Sequence, residues 1–401
     1  MNKKKQIVVI GSGIPDMISK MAIGLRKKGH ETIFISLVKN QETDFLKKAY
    51  DRIISFDVKF YKINLFNLPR IFLYGIKKSF KILKLFSEIK KLRPFVVISV
   101  ATPNWLCFLA RKYFKNYPFV YFPFDIRSFS YKDRKEALSF GIPNFELNAE
   151  KYCFKNADGI IHKGGEDELN FLNDQVLGEK IKIKCPAINI FPYCLRELMV
   201  AVNGKNKLSR ENKEIHIVYV GHIPLDETWS RGMEAITKQG IYLHLYGKTA
   251  NLTKEEDSKR VEGLYPSNNK FLCIHEQVPQ ENLSKEVSKY DYGIYGYKII
   301  GDKRDETDTG NKLASYLEAG LPIITFDNSG AANNILKKYN VAVIIKRSQL
   351  RNLKKVLKKN LSKNLMKNIP RAREELGIEK NIPRLENFFE QVAIYKKRKG
   401  N

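Results

Sequence analysis

Short runs of apolar residues recur along the chain, and each is followed by turn residues and a helical pattern. The first run, 7–10, ends at Gly11, and an amphipathic stretch over 18–28 leads through Gly29 to a second run at 31–38. Strand, helix and strand within about 30 residues make a βαβ unit, which implies a parallel sheet. The pattern predicts further strands at 96–100, 119–122 and 158–162.

The same rhythm restarts after a polar stretch at 203–213, which we interpret as part of a linker. Strands are predicted at 215–220, 241–246, 271–275, 292–295 and 322–326, with helices at 230–238, 281–289 and 311–319. An amphipathic run after Pro383 predicts a final helix whose apolar face must pack on something. The predicted fold is α/β, with two doubly wound Rossmann-like domains. We place these domains at 1–195 and 213–375, the linker at 196–212 and the terminal helix at 376–401.

The composition is that of a folded chain of two or three domains. It has 401 residues, of which 43% are hydrophobic, so each domain can bury a core. The five cysteines show no CxxC spacing, which indicates neither a zinc site nor a disulfide framework. The run at 7–10 is too short for a signal peptide, and no stretch approaches the roughly 20 apolar residues of a membrane span. We expect a cytoplasmic protein, in solution or at the cytoplasmic face of the membrane.

The formal net charge of +28 favours an anionic partner. Nucleic acid, an anionic membrane and phosphorylated substrates all fit, as does a lysine bias of the genome. Lysines cluster at 77–93, 354–359 and 396–399. From Tyr74 to Leu92 they alternate with apolar residues at helical spacing, which is typical of a helix lying on anionic lipid or of a surface helix packed on a core.

Two glycine turns are candidates for ligand contact. Gly11, Ser12 and Gly13 lie between a strand and a helix, but Asp16 occupies the place of the third glycine of a nicotinamide-cofactor fingerprint. A turn that approaches another ligand, or a plain structural turn, fits better. Gly310 and Lys312 begin a helix, where free N–H groups and a point charge suit a diphosphate. An N-capped helix with a solvated lysine is the alternative.

The run GNKLASYLEAGLPII, from Gly310 to Ile324, resembles the helix-and-strand signature of GT-B-fold glycosyltransferases, particularly family 4. The segments IVVIGSG, AEKYCFKNADGIIHKG, IHIVYVGHIPLDETWSRGMEAI and LHLYGK resemble other landmarks of that family, in the same order. Together they span nearly the whole chain. The resemblance implies two domains facing across a cleft, the first for the acceptor and the second for the donor. It also implies that the terminal helix returns to the first domain.

The resemblance implies a donor site in the second domain. Its members are Gly221, His222, Arg231, Gly247, Thr309, Gly310, Asn311, Lys312, Ser315 and Glu318. His222 and Arg231 stand where many members have a phosphate-binding arginine and lysine. Two glutamates of the family are absent, because Thr307 and Ser315 occupy their positions. Glu318, nearly on the face of Ser315, is a candidate for the ribose-binding carboxylate, with a solvent-facing glutamate as the alternative.

The first domain offers candidates for the acceptor side. Asp125 follows a strand directly and is suited to orient a sugar hydroxyl or to act as a base, or else to cap or pair. His162 ends another strand and is either catalytic or structural. Gly11, Ser12, Gly13 and Lys163 complete this set. The acidic residues 166–168 open a helix rather than follow a strand, so we expect no metal ion.

The resemblance implies a glycosyltransferase that uses a nucleoside-diphosphate sugar and no cofactor. The predicted acceptor is a glycan or a lipid-linked glycan in cell-surface polysaccharide or glycoconjugate synthesis. The resemblance implies retention of anomeric configuration. Two alternatives stay open: a nucleotide-sugar epimerase on the same fold, and a non-catalytic partner that has lost the glutamates. The hypothesis of a nucleic-acid-binding protein rests on charge alone, and the sequence contains no recognised nucleic-acid-binding module. We therefore expect no nucleic-acid partner.

Overall fold

A computed structural model of the chain describes residues 4–12, 16–36, 43–55, 91–101, 103–223, 227–247, 263–264, 268–296, 309–360 and 362–400. The chain divides into two compact units. The first consists of Met1–His162, Phe171–Asn189 and Ile382–Asn401, and the second of Lys163–Asn170 and Ile190–Asn381. Most of the segment from Tyr74 to Leu92, and the position of Gly13, lie outside the described residues.

The first unit contains a parallel sheet with the strand order β3-β2-β1-β4-β5-β6-β7. Its strands are β1 (Gln6–Gly11), β2 (Glu31–Ser36), β3 (Arg52–Ser55), β4 (Val96–Ala101), β5 (Phe119–Pro123), β6 (Gly159–His162) and β7 (Ala187–Asn189). The described helices between them are α1 (Asp16–Lys27), α2 (Asp44–Ala49), α3 (Asn104–Tyr113), α4 (Arg134–Ser139), α5 (Asn144–Asn156) and α6 (Asp174–Leu177). Short 3₁₀ turns lie at Arg127–Ser130 and Glu168–Phe171, the latter at a unit boundary.

The central strands of this sheet form because their apolar runs can be covered on both faces. All six residues of β4 and all five of β5 are buried, as parallel strands between helices require. The sequence did not predict β3 or β7. The outer strand β3 has only half-buried and exposed residues, and β7 has three residues, so neither carries a distinct apolar run.

The terminal helix α15 (Ile378–Gly400) belongs to the first unit from Ile382 onward. A Cβ at Gly159 of β6 would lie 2.4 Å from Val392 and 3.0 Å from Phe388, so glycine is what permits this close approach. The Nε2 atom of His30 lies 2.7 Å from a carboxylate oxygen of Glu386, and Lys5 pairs with Glu390. The apolar face seen in the sequence is therefore buried against β6 and its neighbours.

The second unit contains a parallel sheet with the order β10-β9-β8-β11-β12-β13. Its strands are β8 (His216–Val220), β9 (Tyr242–Tyr246), β10 (Leu272–His275), β11 (Tyr292–Ile294), β12 (Ile323–Phe326) and β13 (Ala342–Ile345). Its described helices are α7 (Ser209–Asn212), α8 (Glu227–Thr237), α9 (Gln280–Val287), α10 (Lys312–Glu318), α11 (Gly330–Tyr339), α12 (Leu353–Lys359), α13 (Ser362–Met366) and α14 (Ile369–Glu375). Further 3₁₀ turns lie at Arg196–Leu198 and Arg347–Asn352.

The strand order of the second sheet reverses at β8, which pairs with β9 on one side and β11 on the other. In open parallel sheets, ligands bind at the carboxyl ends of the strands beside such a reversal. The two faces of the sheet are covered by separate apolar clusters, one around Tyr290 and Tyr316 and the other around Trp229 and Leu243. The carboxyl ends of β9, β8, β11 and β12 are therefore held in place by apolar packing on both faces of the sheet.

The stretch predicted as a linker, 196–212, belongs to the second unit, which the chain enters at Ile190 rather than after 195. Lys207 is one of the residues that hold this stretch on the second unit. Its ammonium is buried and donates to the backbone oxygens of Ser288, at 2.8 Å, and Tyr290, at 2.5 Å. This burial lowers the pKa of Lys207 to about 8. A lysine that caps backbone carbonyls has the same sequence signature as a solvated one.

A file of three histidines crosses one half of the second sheet. Nδ1 of His216 lies 3.0 Å from Nε2 of His244, and Nδ1 of His244 lies 3.0 Å from Nε2 of His275. The rings stack with centroids 5.2 and 5.3 Å apart. Desolvation lowers the pKa of all three imidazoles, that of His244 to about 3. The file is therefore neutral at neutral pH, and it joins β8, β9 and β10.

Candidate functional site

Two predicted glycines meet at the carboxyl ends of β8 and β9. The N–H of Gly221 donates to the backbone oxygen of Tyr246 at 2.8 Å. A Cβ at Gly247 would lie 1.7 Å from the backbone oxygen of Gly221, so no other residue fits this contact. Gly221 itself has a φ of +120°, a backbone conformation that residues other than glycine rarely adopt. At both turns the backbone therefore carries no side chain at this edge of the sheet.

Lys312, the first residue of α10, lies against the same turn. A Cβ built on Gly221 would lie 2.8 Å from Cε of Lys312. The Nζ atom lies 4.7 Å from the centroid of the Tyr219 ring, a cation–π distance. Tyr219 is buried, and its hydroxyl donates to the backbone oxygen of His222 at 2.8 Å. A cation therefore lies beside the half-buried turn at Gly221, at the end of β8.

The residues before Lys312 lie beside the end of β11. The N–H of Gly310 donates to the hydroxyl of Tyr295 at 2.8 Å, and a Cβ at Gly310 would come within 3.0 Å of that ring. Thr309 is fully buried, and its hydroxyl donates to the backbone oxygen of Lys163. The side-chain oxygen of Asn311 is buried and accepts no hydrogen bond from the described part of the chain. This oxygen is suited to a hydroxyl donor.

The structure adds residues at this edge that the sequence did not suggest. Tyr219 lies within a strand and Tyr295 directly after one, and aromatic residues at such positions are predicted to belong to the hydrophobic core. Gly296 has a φ of +82°, and a Cβ there would lie 2.3 Å from Oγ of Ser329 and 3.4 Å from Oγ1 of Thr325. A glycine directly after a predicted strand is the signal that would have identified this turn.

Three other predicted donor residues, Arg231, Ser315 and Glu318, differ in burial and in their partners. Arg231, on α8, has a side chain that is 77% exposed and pairs with Glu227 one turn away, at 2.9 Å. Ser315 is buried within α10. Glu318 is fully buried, so the alternative of a solvent-facing glutamate is wrong. A carboxylate oxygen of Glu318 accepts from the N–H of Leu195 at 2.6 Å, which ties the chain before the 3₁₀ turn at Arg196–Leu198 to α10.

The acceptor candidates of the first unit lie at the carboxyl edge of its sheet. Gly11 is the last residue of β1, paired with Ser36, rather than part of the turn. Asp125 is exposed two residues after β5, whereas His162, the last residue of β6, is buried. Lys163 belongs to the second unit.

A buried carboxylate holds the loop that carries Asp125. The two oxygens of Glu150, on α5, accept from the N–H groups of Arg127, at 2.7 Å, and Ser128, at 3.1 Å. Burial raises the pKa of Glu150 to about 7. Because these bonds fix the 3₁₀ turn after β5, Glu150 positions the backbone next to Asp125.

The described residues contain no group of three His, Cys, Asp or Glu side chains arranged to hold a metal ion. Glu168, one of the acidic residues at 166–168, accepts a hydrogen bond from the N–H of Gly164 at 2.8 Å. Within the described ranges, no helix combines the length and apolar content needed to cross a bilayer.

No protein-family model matches the sequence, and no curated protein matches it. Solved structures do match. Sucrose-phosphate synthase from Thermosynechococcus elongatus aligns over 97% of this chain and 99% of its own, with a TM-score of 0.68 and 13% identity. Anabaena HepE, solved in complex with UDP and glucose, aligns over 96% and 99%, with a TM-score of 0.68 and 9% identity. A glycosyltransferase from Rickettsia africae aligns over 97% and 99%, with a TM-score of 0.60 and 14% identity.

The chain has the GT-B fold. These alignments cover nearly the whole chain, and both sheets are parallel with flanking helices. The predicted α/β class and the predicted resemblance to GT-B glycosyltransferases are therefore confirmed. At 9–14% identity the likeness concerns the fold, and membership of family 4 stays a prediction.

Proposed function

We propose that this GT-B protein is a glycosyltransferase that moves a sugar from a nucleoside-diphosphate sugar to a glycan or a lipid-linked glycan. The observation that carries the proposal is the convergence of Gly221, Gly247 and Lys312 at the strand reversal of the second sheet. Bare backbone and a fixed cation at one edge suit a diphosphate. HepE, which has the same fold, was solved with UDP and glucose, and this supports a nucleotide-sugar donor.

The chemistry follows from where charge develops. As the bond between the anomeric carbon and the diphosphate oxygen breaks, negative charge accumulates on the departing diphosphate. Lys312 would stabilise this charge more strongly in the transition state than in the bound donor, which is the condition for catalysis. The side-chain oxygen of Asn311 would accept a hydrogen bond from a donor hydroxyl. We propose that Arg231 makes a further contact with the phosphate. For this contact its ion pair with Glu227 must break.

On the acceptor side we propose Asp125 as the residue that orients the acceptor hydroxyl, with Glu150 holding its loop. His162 is a second catalytic candidate, and Gly11 and Ser12 lie at the same edge. The resemblance supports retention of configuration and a role in cell-surface polysaccharide or glycoconjugate synthesis.

Turnover measured over a panel of nucleotide sugars, with and without EDTA, tests the proposal. We expect release of a nucleoside diphosphate from at least one donor, and we expect it to persist in EDTA because Lys312 supplies the positive charge. Loss of turnover in EDTA that Mg²⁺ or Mn²⁺ restores would contradict metal independence. Absence of release from every donor, with or without a divalent ion, would contradict the transferase itself.

A further inference from the structure

One turn of the first unit exposes large apolar side chains to solvent. Leu138, near the end of α4, is 42% exposed, Phe140, between the two helices, is 69% exposed, and Phe145, at the start of α5, is 57% exposed. Pro143 is exposed as well, and the stretch contains no charged residue from Ala137 to Phe145. We call residues 138–145 the apolar turn. Exposed apolar residues gathered in this way mark an interaction site more often than isolated ones do.

The apolar turn is held in place from behind. Ile142 packs on a small core of Ala137, Leu147 and Val176. The guanidinium of Arg134 donates to the side-chain oxygens of Asn144 and Asn148, at 2.6 Å from Nη2 to each, and to the backbone oxygen of Val176 at 3.2 Å. The exposed aromatic residues are therefore presented by a fixed scaffold.

The apolar turn lies on the acceptor edge of its unit. Because β5 and β6 are parallel neighbours, the connection leaves at the carboxyl edge and α5 returns to the amino edge. The beginning of α5 thus lies on the carboxyl side, the side of Asp125 and His162. A contact confirms this placement: Glu146, next to Phe145, accepts from the N–H of Asn104 at 2.8 Å, where α3 begins after β4.

Two lysines beside the apolar turn face solvent. Lys132 and Lys135 are exposed. Two of the nearby carboxylates face the backbone: Asp133 caps α4 by accepting from the N–H of Glu136 at 2.9 Å, and Glu136 accepts from the N–H of Lys132 at 2.5 Å. A third, Asp174, is exposed and follows Asn173, which donates to the backbone oxygen of Lys132 at 3.2 Å. Lysines that flank exposed aromatic residues are the combination that binds anionic lipid headgroups and the acyl region beneath them.

We propose that the apolar turn docks on an anionic bilayer, with Phe140 and Phe145 in the interface and Lys132 and Lys135 on the headgroups. This rests on the proposed function and deepens it, because the acceptor would then be lipid-linked and presented at the membrane. The net charge of +28 argues against a second copy as the occupant, since two such chains repel each other.

Co-sedimentation of the full chain with vesicles tests the proposal. We expect binding to phosphatidylcholine vesicles that contain phosphatidylglycerol, and little binding to phosphatidylcholine alone. Phe140→Ser with Phe145→Ser should lower the affinity at least about tenfold. Lys132→Gln with Lys135→Gln should lower it about 5- to 30-fold at low salt and less at high salt. Ile394→Ser, which alters a 50% exposed apolar residue on α15, is the matched control and should bind as wild type.

A tryptophan at position 140 reports the docking directly. Its fluorescence in Phe140→Trp should shift to the blue on addition of anionic vesicles, whereas that of Ile394→Trp should not. Unchanged binding of the phenylalanine double variant, no blue shift, or a wild-type dimer that this double variant dissociates would overturn the proposal. Binding of nucleoside diphosphate, measured without vesicles, reports the proposed function separately, because the apolar turn belongs to the other unit.

Discussion

Lys312 is the residue on which the proposed donor site depends. It lies against Gly221 and the ring of Tyr219, outside the apolar clusters, so its removal should leave the fold intact. We predict that Lys312→Ala lowers kcat/KM about 30- to 1000-fold, which corresponds to about 2–4 kcal/mol of transition-state stabilisation. Steady-state kinetics and a melting curve measure the two effects.

Lys337→Ala is the matched control, because Lys337 is an exposed lysine of the same unit at the end of α11. It should retain wild-type turnover. The resemblance predicts that Arg231→Ala also lowers turnover, while loss of its exposed pair with Glu227 should change the free energy of unfolding by less than about 0.5 kcal/mol. Wild-type turnover in Lys312→Ala would show that the phosphate site lies elsewhere.

Single residues differ in how far the sequence predicts them. The sequence predicts that Gly221, Gly247 and Lys312 come together. The two glycines directly follow strands, and parallel strands end at a common edge of the sheet. Tyr219 and Tyr295 were missed because an aromatic side chain with a polar tip has the same pattern as a core residue. Glu318 was predicted from helix position alone, which does not reveal that its carboxylate holds Leu195.

The ends of β8 and β9 form an element whose geometry depends on glycine. A Cβ at Gly247 would lie 1.7 Å from a backbone oxygen, which cannot move as a side chain can. We predict that Gly247→Ala destabilises the second unit by more than about 2 kcal/mol and weakens nucleotide binding. Gly204→Ala, where nothing lies within 4 Å, is the control and should melt as wild type. Equal melting of the two variants would contradict this contact.

The histidine file makes the stability of the second unit depend on pH. The pKa of His244 is about 3 in the folded chain and its ordinary value is 6.5, so the unfolded chain binds more protons between these values. The stabilisation is therefore complete above about pH 6.5 and is lost as the pH falls toward 3. The shift corresponds to about 3–5 kcal/mol.

We predict that the free energy of unfolding of His244→Asn falls less steeply than that of wild type as the pH decreases from 6.5. Because both proteins share every other titrating group outside the file, the difference between the two curves isolates the contribution of His244 and its neighbours. Denaturant unfolding at a series of pH values provides both curves. Parallel curves would contradict a neutral, buried file.

Elements follow the sequence where apolar runs are long and buried on both faces. The strands β4, β5, β8 and β12 lie within a residue of their predicted bounds. The strand β13 was not predicted, although Ala342–Ile345 is apolar, because so short an apolar run does not by itself distinguish a strand from a helix segment. Likewise, polar residues at 203–213 indicated a linker, while the ammonium of Lys207 and the N–H of Val200 donate to backbone oxygens of the second unit and hold the stretch there.

At the scale of the whole molecule, the repeated βαβ pattern predicts two parallel sheets, and the structure contains them in two compact units. The boundaries between the units were harder to predict from the sequence, because the chain passes between them at 163–170, 190 and 382 without a change in composition. Packing on Gly159, rather than local sequence, decides where the last helix lies.

Thermal melting with UDP, GDP, ADP, CDP and dTDP tests the central claim most directly, that the second unit binds a nucleoside diphosphate at the edge marked by Gly221, Gly247 and Lys312. We predict that at least one of them raises the melting temperature, by an amount that corresponds to about 2.7 kcal/mol at 100 times its Kd. Lys312→Ala should reduce that shift and Lys337→Ala should not. No shift with any of the five at millimolar concentration would contradict the account.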